Sequence, residues 1–215
     1  MNNELTAQRK YWNNQADDFQ RIYTHRKSRM SNLLDRVFRQ DMYERFQFTI
    51  ANCEPIEERS FLDVGCGNGL YTFELARKGA GRVTGLDISE VMIGLCERSA
   101  EDQGLDKVCS FVQSDLLSYQ ASSAVDVSFG IGLFDYITEP LPVLQKMREV
   151  TKDKVIASFP RFWTWRAPIR KVRLGLGGCK VVFYTKKSVD NLFREAGFED
   201  ISITKVGKLH CVVAS

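Results

Sequence analysis

The residues whose types and spacing carry the most chemistry are Asp63, Gly65, Gly67, Asn68, Gly69 and Asp87. In Phe61-Leu62-Asp63-Val64-Gly65-Cys66-Gly67-Asn68-Gly69 an apolar run holding one acid enters three alternating glycines. Glycine reaches backbone angles closed to other residues and puts no Cβ in the way, so such a turn brings N–H groups close to a ligand. A second apolar run, Arg82-Val83-Thr84-Gly85-Leu86, ends in Asp87, where a carboxylate can accept hydrogen bonds from both hydroxyls of an adenosine ribose. These features also suit an NAD-dependent oxidoreductase, the main rival reading. The dinucleotide fingerprint G-x-G-x-x-G, however, needs its third glycine where this chain has Leu70, and Gly69 comes too early for it.

A third acid, Asp135, follows the run Val125-Asp126-Val127-Ser128-Phe129-Gly130 and its continuation Ile131-Gly132-Leu133-Phe134. Open α/β sheets bind ligands beyond the carboxyl ends of their strands, which places Ile131 beside a donor and Asp135 beside an acceptor. An aspartate is a weak base at neutral pH, so Asp135 is expected to orient an acceptor rather than deprotonate it. Asp126, at the start of the run, reads as a surface acid. The two histidines, His25 and His210, are the side chains that ordinarily titrate near neutrality. Of these, His210 falls early in the last apolar run and is assigned to the active-site edge. Residues 161–187 hold eight Lys or Arg and no acid, interleaved with Phe162, Trp163, Trp165 and Phe183. Such a segment suits one wall of an acceptor pocket, with rings to cover a planar group and cations to pair with a carboxylate or phosphate. A solvated face and a peripheral membrane contact are its alternatives.

The elements that must position these residues follow from periodicity. Leu33, Leu34, Val37, Phe38, Met42, Phe46 and Ile50 form an apolar helical face within a stretch, 5–51, that reads as helical up to Glu54-Pro55. Tyr11 and Trp12 are expected to pack this cap against the donor site. From Ser60 onward short apolar runs alternate with amphipathic segments, as in β-α units on a parallel sheet. Strands are predicted at 60–64, 81–86, 108–113, 124–130, 153–158, 199–206 and 208–214, and helices at 69–78, 89–103, 140–150 and 186–196. Ala196-Gly197 supplies a helix stop, and the last two strands meet at Gly207 with so short a loop that they must be antiparallel. The predicted organisation is a helical cap, 1–54, and one α/β domain, 55–215, with the basic insertion at about 160–185.

Composition bounds the remaining choices. The chain has 215 residues, 44% hydrophobic and 27% charged, with a net charge of +3. That is neither a disordered nor a membrane composition. Lys and Arg number 10 against 9 acids in residues 1–59, 7 against 13 in 60–150 and 13 against 5 in 151–215, so an acidic middle precedes a basic end. No apolar run could span a bilayer and the opening residues are no secretory signal, which predicts a cytoplasmic protein. The six cysteines are scattered, without the paired spacing of a metal or redox site, and are read as reduced thiols with no metal. The modest net charge argues against nucleic acid as a partner and leaves a small molecule as the expected acceptor. Oligomeric state is not legible.

The pattern D-x-G-x-G-x-G from Asp63 to Gly69 resembles motif I of class I methyltransferases that use S-adenosylmethionine (SAM). The resemblance implies that the glycine loop holds the methionine end of SAM, that Asp63 helps hold its ammonium and that Asp87 holds its ribose. It also implies that Ile88 and Met92 pack the adenine ring and that Asp115 and Leu116, in Ser114-Asp115-Leu116, meet the adenine edge. The fold implied is a Rossmann-like α/β sheet of seven strands in the order 3-2-1-4-5-7-6, with strand 7 antiparallel. Asp18-Phe19-Gln20-Arg21-Ile22-Tyr23 and Val155-Ile156-Ala157-Ser158-Phe159 further resemble segments of magnesium-protoporphyrin O-methyltransferases and the quinone-type enzymes near them. That likeness implies a catalytic role for Tyr23. Asp135 stands where those enzymes have a histidine, a departure that bears on the acceptor. The expected reaction is methyl transfer to a small molecule, at oxygen first and nitrogen second. A SAM-binding module without catalysis is the non-enzymatic alternative.

Overall fold

The computed structural model describes residues 6, 8–13, 32–161 and 182–215, the side chains of 32–39 and 41 excepted. Within these, α1 spans Asn32–Asn52, α2 Leu70–Arg77, α3 Glu90–Asp102, α4 Pro140–Glu149 and α5 Lys186–Glu195. The strands are β1 Ser60–Val64, β2 Arg82–Asp87, β3 Cys109–Gln113, β4 Val125–Gly130, β5 Thr151–Pro160, β6 Ile201–Val206 and β7 Leu209–Ala214. They form one sheet in the order β3-β2-β1-β4-β5-β7-β6, parallel except for β7, which pairs antiparallel with both β5 and β6. All seven predicted strands and the four later helices are present, with ends shifted by at most two residues, and only β5 is shifted by two at both ends. That strand begins two residues earlier and runs two residues longer than periodicity suggested.

Local chemistry sets the helix ends. Ser89 caps α3 by accepting from Met92 N–H, and Thr185 forms a reciprocal capping box with Ser188 at the start of α5. Pro140 opens α4, where its missing N–H costs nothing. Gly197, at φ 92°, ends α5 as expected of a residue that tolerates the left-handed region. Lys154 reaches from β5 to donate to the carbonyls of Asn52 (2.9 Å) and Glu54 (3.1 Å), a cation closing the carboxyl end of α1.

Each sheet face has its own core. On one side α4 and α5 cover Leu62, Val155, Ala157, Phe159, Phe193 and Val212. On the other, Phe61, Val127, Phe129 and Ile156 meet Leu75 of α2 and Cys96 of α3, and Ile50 and Cys53 at the end of α1 belong to the same cluster. The continuous stretch predicted to be helical appears as helical residues 8–13 and as α1; residues 14–31, with Tyr23 and His25, lie outside the described residues, as does 162–181 of the basic insertion. Among the described residues no helix is long and apolar enough to cross a membrane.

Candidate active site

The loop from β1 to α2 is a turn only glycine makes without strain. Gly65, Gly67 and Gly69 have φ of 75°, 54° and 75°, all in the left-handed region. Gly69 leaves no room besides, since a Cβ there would lie 2.6 Å from the Phe73 ring. The N–H groups of Gly65 and Cys66 both reach the Leu86 carbonyl, at 2.8 and 2.9 Å, which ties the loop to the end of β2.

Asp87 closes that tie. Its Oδ2 accepts from Gly67 N–H at 2.9 Å and its Oδ1 from Ser89 N–H at 2.8 Å. Burial raises its pKa above the ordinary 3.8, against the backbone hydrogen bonds that lower it. Each oxygen keeps a lone pair for a ligand hydroxyl. Asp63 lies deeper, 2% exposed, and accepts from the Thr72 hydroxyl at 2.8 Å. Burial pushes its carboxyl up to about 7, the Thr72 bond opposing the rise and the Asp87 charge adding to it.

The other predicted donor residues border this cleft or support it. Asn68 and Ile88 are half-buried, and Met92 is buried at the first turn of α3. Asp115 follows β3 and caps Ser118 N–H through Oδ1 at 3.0 Å, while Leu116 turns into the core on the α4 side. Ile131 packs against the opposite cluster. The helical residues 8–13 bridge the carboxyl edge: the side chains of Ser89 and Asn13 hydrogen-bond at 2.6 Å, Gln8 donates to the Tyr136 carbonyl at 2.9 Å, and Trp12 meets the Tyr136 ring edge-on at 5.1 Å.

A cation that sequence reading missed completes this end. Arg45 of α1 stands over Gly132, its Nη1 3.5 Å from where a Cβ would be. Gly132, just beyond the end of β4, is held by its N–H to Ser158 Oγ at 2.8 Å, and a Cβ on Gly65 would touch its neighbour Leu133 at 3.2 Å. Its charge also reaches Cys211, which burial pushes up to about 12. Helical periodicity marked the apolar positions of α1, and a lone arginine between them reads as solvated.

The family model described as a methyltransferase domain matches residues 56–197. The chain belongs to the methyltransferase domain family. Methyltransferases of this family use S-adenosylmethionine as their donor. A ubiquinone biosynthesis O-methyltransferase of Histophilus somni is 27% identical over 121 residues, 54% of this chain and 50% of that protein. A tRNA U34 carboxymethyltransferase of Haemophilus ducreyi is 27% identical over 115 residues, 54% of this chain and 35% of that protein. The methyltransferase thus spans a third to a half of the length of these curated relatives. The crystal structure of magnesium protoporphyrin IX methyltransferase from Synechocystis PCC 6803 with bound S-adenosylhomocysteine superposes with a TM-score of 0.77 at 20% identity, covering 97% of each chain. That likeness establishes the fold.

Beyond the carboxyl end of β4, Asp135 and Tyr184 come together. Asp135 is 3% exposed, and its carbonyl accepts from Val182 N–H at 3.0 Å. Tyr184 is pushed up to about 12, chiefly by burial and then by the Asp135 charge. Phe134 stacks on Phe159, with 4.5 Å between centroids, beneath them. His210 stands apart, paired across the sheet with Phe159, and burial and the charges of Arg161 and Lys186 lower its pKa. Asp126 lies at the opposite edge, where its Oδ2 takes the N–H and hydroxyl of Ser60, both at 2.7 Å, and its Oδ1 faces Lys152 at 3.3 Å.

Proposed function

We propose that this methyltransferase carries the methyl group of S-adenosylmethionine to an oxygen, and next in order a nitrogen, of an anionic small molecule. The observation that carries this reading is Asp87, held at the end of β2 beside the glycine loop by the N–H groups of Gly67 and Ser89. The donor supplies an activated methyl on a sulfonium. The chain's task is to align and to exclude water. The glycine loop and Asp87 fix one end of the donor, and Asp63 and Arg45 supply opposite charges for its ammonium and carboxylate. Ile88, Met92 and Asp115 frame its adenine. Ile131 at the end of β4 faces the transferred group. Asp135 orients the acceptor, Tyr23 takes part in catalysis and His210 meets the acceptor's far end.

The relatedness to a ubiquinone biosynthesis O-methyltransferase supports transfer to oxygen. A second reading, transfer to RNA, draws on the tRNA U34 carboxymethyltransferase; the acidic stretch 60–150, which carries the donor loop, weighs against it.

Calorimetry tests the donor site. Two hydrogen bonds to a charged group, at about 1.5–3 kcal/mol each, predict that Asp87→Ala weakens SAM binding roughly 100-fold or more. Unchanged affinity in a folded variant, or NAD bound in preference to SAM, refutes the reading. Label from methyl-tritiated SAM should appear on aromatic hydroxy acids rather than on tRNA offered in the same assay.

A further inference from the structure

A cluster of cations lies outside the donor site, at the carboxyl end of β5. Phe159 faces the α4 and α5 core, and His210 of β7 is in register with it. Lys205 of β6 is in register with His210, and paired residues of a ladder point to the same face. Arg161, two residues beyond Phe159, returns to that face, and Lys186 opens α5 above it. Arg161 is fixed in place, its N–H on the Lys208 carbonyl at 3.1 Å and its Nη1 on the Gly207 carbonyl at 3.4 Å. Among the described residues, Arg161, Lys186 and Lys205 join no ion pair. The nearest acid on α5, Asp190, is taken by Arg194 at 2.9 Å, and Glu199 and Asp200 lie at the far end of β6. Lys187 and Lys208 flank the group and add positive charge.

Like charges opposite one another across strands are destabilising, so such a corner is kept for a ligand that neutralises it. We propose that Arg161, Lys186, Lys205 and His210 form a subsite for a phosphate group borne by the acceptor. This rests on the reading of the chain as a small-molecule methyltransferase. A carboxylate is satisfied by one arginine, whereas three permanent cations and an imidazole match a group with two charges and three acceptor oxygens. The cluster is one corner rather than a stripe, which fits one group and not a nucleic-acid backbone. It sits at the carboxyl end of β5, two strands from β1, and so meets the part of the acceptor remote from the methylated atom.

Two histidines in the chain make the test direct. The His210 ring is followed by NMR, assigned with the His25→Gln variant, in protein saturated with S-adenosylhomocysteine. Inorganic phosphate and pyrophosphate are titrated at constant ionic strength. An anion among these cations removes the repulsion that lowers the imidazole pKa, so the His210 midpoint should rise by about 0.5 or more and saturate. The Arg161→Gln/Lys205→Gln variant should bind pyrophosphate at least tenfold more weakly, with S-adenosylhomocysteine affinity unchanged. A His210 midpoint that stays still, or follows sodium chloride alone, overturns the subsite. So does sedimentation of the chain with phosphatidylglycerol vesicles where neither phosphate nor pyrophosphate moves His210, because the corner then serves a membrane surface. Failure to bind S-adenosylhomocysteine at all would instead strike the methyltransferase reading.

Discussion

On the proposed binding mode Asp63 changes its charge when the donor arrives, and that change can be counted in protons. Its carboxyl is 2% exposed and, with burial as the main cause, sits at about 7 instead of 3.8. At pH 6 the donor-free protein therefore holds Asp63 mostly protonated. An ammonium placed beside it favours the ionised form, so binding below pH 7 expels a proton. Moving a carboxyl from 3.8 to about 7 corresponds to about 4 kcal/mol, and a donor that recovers half of that gains roughly 30-fold in affinity at pH 8. Titration calorimetry of S-adenosylhomocysteine in buffers of different ionisation enthalpy should find about two-thirds of a proton released at pH 6 and little from this group at pH 8. Asp63→Asn should abolish the release at pH 6 and weaken binding roughly 30-fold at pH 8. Stability gives the opposite sign. Between 3.8 and about 7 the folded protein binds more protons than the unfolded chain, so the stability present below pH 4 is lost as pH rises through 7. The Asn variant escapes that loss, and without donor its Tm at pH 8 should exceed the parent's by about 5 °C or more. Equal proton release at both pH values, or an Asn variant that binds like the parent, refutes the reasoning.

Arg45→Gln should weaken S-adenosylmethionine about 10- to 100-fold and leave adenosine, which lacks the carboxylate, bound as before; equal losses for both would make Arg45 structural. Asp126→Ala should cost about 1–2 kcal/mol in urea unfolding. Its folded pKa is lowered to about 2, mainly by the Ser60 N–H and hydroxyl, so this contribution is full above pH 4 and fades as pH falls toward 2. With whichever acceptor takes label, Asp135→Asn should lower kcat only a few-fold and Asp135→Ala about tenfold more, since an amide still accepts a hydrogen bond. Equal kcat/KM in both would leave Asp135 a loop residue.

The donor half was legible because its chemistry is local. Three alternating glycines and an acid at the end of the next strand lie within 25 residues, and the backbone geometry ties them together. The strand order followed from the family likeness, and the antiparallel last pair from the short turn at Gly207. What sequence could not give is side-chain convergence across distance. Arg45 meets Gly132 only because α1 lies over the same sheet face as Ser158, and Lys205 shares a face with His210 and Phe159 only because β7 lies between β6 and β5. Asp126 was read as an ordinary surface acid, although it pins the start of β1 to β4 through Ser60. Periodicity cannot distinguish an acid that faces water from one that faces a backbone N–H at the same depth.

The place of β7 has a consequence for how the chain is made. It is the last of the seven strands in sequence, yet it lies between β5 and β6. During synthesis β1 to β4 can pair and form the glycine loop and Asp87 while β5 still has an unpaired edge. Until Leu209–Ala214 is threaded in, Val155, Ile156, Ala157 and Phe159 present an apolar edge able to pair with another nascent chain.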